Sequence, residues 1–169
     1  MDVAALFAEL YGRVAPLARY AVAGLTPDQL NQAPAGADNS IGWLIWHLAR
    51  VQDHHMAEIL DQDQLWVADM SWAPRFGLDP DPSNIGYGHS ADDVAKVHPD
   101  GPESLLAYLD AVEARTFTYL QGLQDVDLDR IVDRRWDPPV TLGVRLVSIA
   151  DDSIQHVGQA CYLRGMFGW

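Results

Sequence analysis

The sequence has a single cysteine, Cys161, among its 169 residues. One cysteine excludes an internal disulfide and favours a reducing compartment, so we expect the protein in the cytoplasm. Basic side chains are also scarce, because 11 Lys and Arg stand against 24 Asp and Glu and give a formal net charge of -13. Nucleic acids and anionic membrane surfaces both recruit basic segments, so we expect neither as a partner.

Long apolar runs are missing as well. No stretch approaches the roughly 18 uninterrupted apolar residues that a transmembrane helix requires. The first residues include Asp2 and Glu9 and lack a basic region followed by an apolar run, so no signal peptide is expected. The overall content of 49% apolar and 21% charged residues is typical of a globular protein. A chain of this length predicts one domain over residues 1–169.

Four segments carry apolar side chains at the three- and four-residue spacing of an amphipathic helix. About forty residues between the second and third segments, from Asp61 to Asp100, are rich in Pro, Gly, Asp and Trp. The pattern predicts an all-α fold, a four-helix bundle with a long crossover between helices 2 and 3. Trp66, Trp72, Phe76 and Tyr87 make the crossover too aromatic for a disordered linker, so we expect it to pack across the bundle. The predicted helices cover residues 3–21, 39–60, 101–123 and 142–167.

Asp152 and His156 form a pair within the fourth predicted helix. Their i, i+4 spacing makes the two side chains neighbours on one face, close to the apolar stripe that includes Ile149 and Ser153. A carboxylate on a buried stripe is unfavourable unless it is paired or bound to a metal. The spacing therefore indicates either two ligands of a metal site or a buried ion pair. A third ligand would come from another helix, and His47 lies at the edge of the apolar face of helix 2.

Other histidines allow alternatives. His54 and Glu58 share a strip of helix 2 with His47, so they are competing ligands or supporting residues. His55 is expected to pack. His89 and His98 lie in the crossover, where we expect solvent exposure, with the alternative that His89 borders a pocket.

Two motifs resemble those of a known family. Residues 41–55, IGWLIWHLARVQDHH, resemble the second-helix signature of the DinB/YfiT-like metalloprotein superfamily, and residues 152–159, DSIQHVGQ, resemble its fourth-helix signature. The resemblance covers the whole chain. It implies a four-helix bundle, often a homodimer, with a metal bound by one helix-2 His and two helix-4 side chains. On this sequence those positions are His47, Asp152 and His156.

Asp152 departs from the family pattern. Relatives usually have His at this position or, in the thiol-dependent branch, Glu. Asp is one methylene shorter than Glu, so its carboxylate contacts the metal either directly or through a bridging water. Three N and O ligands with an open position suit one divalent ion, with Zn²⁺ expected first and Ni²⁺, Mn²⁺ or Fe²⁺ as alternatives.

The resemblance also implies a range of functions. Characterised members include S-transferases and maleylpyruvate isomerases that use mycothiol or bacillithiol, so the expected partners are a small-molecule thiol cosubstrate and an electrophile. A metal-binding stress-response or sensor protein without turnover is the second interpretation. A metal-dependent hydrolase with Glu58 as general base is the third, and a purely structural helical protein is the last.

Overall fold

The computed structural model describes residues 1–35 and 39–169 and shows a helical bundle. The two N-terminal helices together form the first segment of the bundle, and three long helices form the others. The predicted all-α bundle with a long crossover is confirmed. None of the described helices is long and apolar enough to cross a membrane. The helices are α1 (Val3–Tyr11), α2 (Val14–Val22), α3 (Pro27–Asn31), α4 (Ile41–Leu60), α5 (Leu65–Ala68), α6 (Ala91–Lys96), α7 (Pro102–Leu120) and α8 (Leu142–Phe167).

Hydroxyl side chains cap α4 and α8, the two helices that carry the predicted metal ligands. The Oγ of Ser40 accepts a hydrogen bond from the Trp43 amide at 3.1 Å and begins α4. The Oγ1 of Thr141 accepts from the Val144 amide at 3.4 Å and begins α8. Such caps satisfy backbone N–H groups that have no partner inside the helix. Both starts follow the sequence prediction.

The first predicted helix, residues 3–21, is wrong as a single element. The structure divides it into α1 and α2 at Gly12 and Arg13. Pro16 explains the break, because its ring has no N–H to bond the carbonyl of Gly12 and would clash with that carbonyl in a continuous helix. The two halves still pack against α7 and so fill one position of the bundle.

The connection between α7 and α8 contains a short hairpin that the sequence analysis did not predict. Strand β1 (Ile131–Asp133) pairs antiparallel with β2 (Val140–Thr141), directly before α8. With three and two residues, the strands are too short for an alternating pattern to be visible in the sequence. The hairpin places the buried carboxylate of Asp133 beside Arg145 of α8, with 2.7 Å between Oδ2 and the guanidinium.

The crossover is anchored to α4 by a buried network around Arg50 and Asp53. Arg50 is fully buried and donates to the carbonyls of Asn84 and Pro82 at 3.2 and 3.4 Å. Asp53, also fully buried, accepts from the amides of Leu65 and Trp66 and thereby caps α5. The predicted packing of the crossover across the bundle therefore rests on polar as well as aromatic contacts. Further members of the network are Tyr108, Gln64 and Arg115.

Glu113 of α7 is a buried carboxylate without a full set of partners. Its side chain is 8% exposed, and Oε1 has no hydrogen-bond partner among the described residues. Burial and the nearby Asp110 carboxylate raise the pKa of Glu113 to about 7, although the positive charge of Arg19 lowers it. Folding therefore favours the protonated form.

This raised pKa predicts a stability that falls as pH rises. The unfolded chain releases the Glu113 proton near the ordinary value of 4.5, whereas the folded chain holds it to about 7. The stabilising contribution is therefore complete below pH 4.5 and lost between these two values. Above pH 7, Glu113→Gln should raise the free energy of unfolding by about 3 kcal/mol, since each unit of pKa difference corresponds to about 1.4 kcal/mol. Urea unfolding across this pH range measures the effect, and Glu9→Gln, at an exposed ion pair, is the control. Equal pH slopes in Glu113→Gln and the parent protein would contradict the assignment.

Candidate metal centre

His47 of α4 and Asp152 and His156 of α8 lie together where these two helices pack. One ligand-type atom from each residue lies within 4.8 Å of the other two. The Nε2 of His47 is 3.8 Å from Oδ1 of Asp152, and the Nε2 of His156 is 3.5 Å from the same oxygen. Tetrahedral zinc with bonds of about 2.0 Å holds its ligand atoms roughly 3.3 Å apart. The three side chains are therefore close to the spacing of a metal site.

Backbone and aromatic contacts fix the ring of His47. Its Nδ1 donates to the carbonyl of Ile85 in the crossover. The ring stacks on Trp43, one turn earlier in α4, with centroids 4.5 Å apart and planes 13° apart. On the crossover side, Gly86 has a φ of +93°, and a Cβ there would lie 2.5 Å from His47 Nδ1. Only glycine allows the crossover backbone to approach the ring this closely.

His156 is held from within its own helix. Its Nδ1 lies 2.8 Å from Oε1 of Gln159 and donates to it. Burial opposes a charge on this ring, but hydrogen bonds to Asp152 and Gln159 raise the pKa of His156, so a metal ion bound to Nε2 would take the place of a proton. His47 behaves in the opposite way, because burial lowers its pKa despite the nearby Asp152 carboxylate.

The hydrogen bonds of the two rings suit metal binding. With Nδ1–H donating to an oxygen, each neutral imidazole keeps its Nε2 lone pair free, and both Nε2 atoms face Asp152. Histidine ligands of metals typically donate their other ring N–H to a carbonyl or carboxylate in this way. In addition, Oδ2 of Asp152 is buried and has no partner among the described residues. A buried oxygen without a donor is unfavourable unless a cation satisfies it, so the donor set fits a divalent ion.

A second cluster, His54, His55 and Glu58, also brings three ligand-type atoms within 4.8 Å. Its hydrogen bonds are the reverse of those at the first site. The amide nitrogen of Gln64 donates to Nδ1 of His54 at 3.1 Å, so that ring carries its proton on Nε2, toward Glu58. Arg145 faces Nε2 of His55 at 3.4 Å, so that ring carries its proton on Nδ1, also toward Glu58. Each ring therefore points an N–H, not a lone pair, at the carboxylate.

His89, His98 and Cys161 lie outside both clusters. His89 accepts from the indole of Trp43 at 3.2 Å and donates to Oδ1 of Asn84 at 2.9 Å, so it ties the crossover to α4. His98 is exposed, as expected. Partial burial raises the pKa of the Cys161 thiol, which is therefore not an activated nucleophile. His55, expected to pack, instead belongs to the polar second cluster.

The sequence analysis did not identify the crossover residues and the arginine that position the ring of His47. Ile85 acts through its backbone carbonyl, so its identity carries no signal in the sequence. Gly86 begins a Gly-x-Gly-His stretch, residues 86–89, that is too short for a phosphate-binding loop and carries no other recognisable motif. Arg50 lies within the quoted helix-2 motif, but its contact with Asn84 and Pro82 depends on a crossover whose path cannot be derived from periodicity.

Comparison with known proteins gives one family. The family model of the DinB superfamily matches residues 11–160. A conserved protein from Enterococcus faecalis, known from its crystal structure, is 35% identical, with 97% of this chain and 96% of that chain covered and a TM-score of 0.87. No curated protein matches the sequence. The match to the family model spans most of the chain and includes both His47 and the α8 pair. The chain belongs to the DinB superfamily.

Proposed function

We propose that the protein binds one divalent metal ion through His47, Asp152 and His156 and uses it in thiol-dependent S-transfer or isomerisation. The observation that carries the metal site is the convergence of two Nε2 lone pairs on a carboxylate whose Oδ2 is buried and has no partner among the described residues. Two imidazoles and one carboxylate leave coordination positions open, as in catalytic rather than structural zinc sites. Zn²⁺ is our first choice, with Ni²⁺, Mn²⁺ and Fe²⁺ as alternatives.

The proposed chemistry uses a small-molecule thiol because the protein supplies no activated thiol of its own. A divalent ion held by His47, Asp152 and His156 would act as a Lewis acid and lower the pKa of the cosubstrate thiol. The His47 and His156 rings are held in orientation by Ile85 and Gln159, which limits the rearrangement needed for ligand binding. In S-transfer the cosubstrate would lose its S–H proton to solvent, its sulfur would form a C–S bond at the electrophilic carbon, and the leaving group on that carbon would depart with the electron pair of the bond that breaks.

A metal-binding protein without turnover is the second candidate, since a stress-response or sensor role needs only the ion. Metal-dependent hydrolysis has less support than the other two candidates, because its proposed base, Glu58, is bound to other side chains. Glu58 pairs with Arg135 at 3.0 Å and receives N–H groups from His54 and His55. These contacts hold Glu58 in the second cluster, away from the candidate metal centre.

Metal binding predicts a clear contrast between the two histidine clusters. Protein loaded with zinc and dialysed should hold about one ion per chain, and His47→Ala or His156→Ala should lose it. Asp152→Asn should weaken affinity by at least about tenfold, because the neutral amide lacks the carboxylate charge. Gly86→Ala should weaken it too, since its Cβ would displace His47. Elemental analysis and competition with a chromogenic chelator measure these values.

His54→Ala is the matched control, since it removes a histidine of the second cluster from the same helix. It should keep the metal of the parent protein. Unchanged metal content in both His47→Ala and His156→Ala would contradict the site, and loss in His54→Ala alone would move the ion to the second cluster.

Thiol chemistry is tested separately from metal binding. Zinc-loaded protein should accelerate conjugation of bacillithiol or mycothiol to a model electrophile, and chelation or His156→Ala should return the rate to that of the uncatalysed reaction. Thiol consumption followed by a colorimetric reagent measures the rate. A protein that binds zinc but gives no acceleration with either thiol supports the non-catalytic candidate.

We also propose a homodimer formed through the outer face of α8. This face carries exposed apolar side chains at helical spacing, which a second copy would cover: Val144, Val147, Ile154 and Tyr162, with 54%, 56%, 39% and 71% of their surface exposed. Light scattering should give twice the chain mass, and Val147→Glu should reduce it to one chain. A monomeric mass for the parent protein at micromolar concentration would contradict the dimer.

A further inference from the structure

A cavity of about 600 Å³ lies beside the candidate metal centre, between α4, α8 and the hairpin. His54 and His55 of α4, Arg145 of α8, and Asp133 and Arg135 of the hairpin segment line it, together with the crossover residue Ile85. Ile85 connects the two sites, because its carbonyl binds His47 Nδ1. His54 and Arg145 each lie seven residues, or two helical turns, from His47 and Asp152. At 1.5 Å per residue, the cavity begins about 10 Å from the centre along both helices.

The charge of this cavity differs from that of the protein as a whole. Arg135 and Arg145 contribute two guanidinium groups and Asp133 one carboxylate, in a chain of formal net charge -13. Burial and the neighbouring Arg145 lower the pKa of His55 to about 4, so that ring is neutral near pH 7. Burial also lowers the pKa of His54. The lining residues themselves carry two positive charges and one negative charge. Glu58 lines the adjacent cavity and pairs with Arg135 at 3.0 Å, so Arg145 is the arginine of this cavity that shares only the Asp133 carboxylate.

Arg145 is the better placed of the two arginines for binding an anion. Its side chain is 12% exposed and is held by one short contact, from NH2 to Asp133 Oδ2 at 2.7 Å. Its NH1 faces only the weak acceptor Nε2 of His55 at 3.4 Å. Arg135, by contrast, uses Nε and NH2 on Asp133 and Glu58. A fixed guanidinium with a poorly used nitrogen suits a planar carboxylate.

Aromatic side chains form the outer wall of the cavity. Trp136 is 65% exposed and Tyr87 is 90% exposed, and both line the cavity. Large aromatic side chains with this much exposure bury apolar surface only when something covers them. An aromatic ring bound here would stack on Trp136 while its acidic group contacts Arg145.

We propose that this cavity binds small aromatic carboxylates, with Arg145 as the anion-binding residue and Trp136 as the stacking surface. Identifying such a molecule as the electrophilic substrate rests on the proposed function, since only then does the metal centre about 10 Å away act on its other end. Carboxylate binding requires only the cavity. An experiment can therefore refute carboxylate binding without refuting the proposed metal-dependent function, and the reverse.

The probe is para-trifluoromethylbenzoate, followed by fluorine NMR on the full chain in metal-free and zinc-loaded forms. Saturable binding of similar affinity is expected in both forms. The neutral analogue para-trifluoromethylbenzamide should bind at least about tenfold more weakly, because it cannot form a charge-assisted pair with Arg145. Equal affinity for acid and amide, or no saturation at millimolar probe, would overturn the proposal. Binding of the acid only to the zinc-loaded form would place the anion on the metal and also overturn it.

Variants test the two assigned side chains. Arg145→Gln should weaken binding of the benzoate by about tenfold and leave the affinity for the benzamide unchanged. Trp136→Ala should weaken acid and amide alike by about threefold to tenfold, and Trp136 is exposed enough that its removal leaves the fold intact. The double variant Asp133→Asn, Arg145→Gln removes both charges of the buried pair. It tests the loss of Arg145 without leaving an unpaired carboxylate that could destabilise the fold. Arg130→Gln is the control, since Arg130 contacts Tyr119 at 3.1 Å and lines a different cavity. Unchanged acid affinity in both Arg145→Gln and Trp136→Ala would overturn the assignment.

Discussion

The buried ion pair between Arg50 and Asp53 is the interaction on which the geometry of the site depends. Both side chains are fully buried, and they lie 3.3 Å apart. Buried charges are tolerated only when hydrogen bonds replace the lost water, and here those bonds come from the crossover and from Tyr108 and Arg115 of α7. Arg50 holds the carbonyls of Asn84 and Pro82, and Asp53 caps α5. A crossover that would otherwise be a long loop thereby has a fixed path over α4.

That fixed path determines which ring nitrogen of His47 carries the proton. One residue after Asn84, the carbonyl of Ile85 accepts the Nδ1 proton of His47 and leaves Nε2 free toward Asp152. The second cluster shows why this matters, because it contains the same ligand types at similar spacing. There a donating Gln64 sets the opposite tautomer on His54. Which atom a neighbour presents, rather than the number of ligands in a cluster, distinguishes the two sites.

The sequence predicted the parts of this structure that depend on local rules. Helix starts at Ser40 and Thr141 follow from caps, and the proximity of Asp152 and His156 follows from the helical period. The meeting of His47 with that pair depends on how α4 and α8 pack, and its prediction came mainly from the resemblance to the DinB superfamily. Pro16 was a local signal for the break in the first helix that the apolar periodicity concealed. The carbonyl of Ile85 and the hairpin partners of Arg145 depend on tertiary structure and have no local signature.

The most direct measurement is a crystal structure of the zinc-loaded protein with anomalous diffraction at the zinc edge. The expected result is one peak about 2.0–2.2 Å from Nε2 of His47, Nε2 of His156 and a carboxylate oxygen of Asp152. In that structure Nδ1 of His47 should still donate to Ile85. A peak at His54, His55 and Glu58, or a well-ordered His47–Asp152–His156 group without zinc, would contradict the assignment.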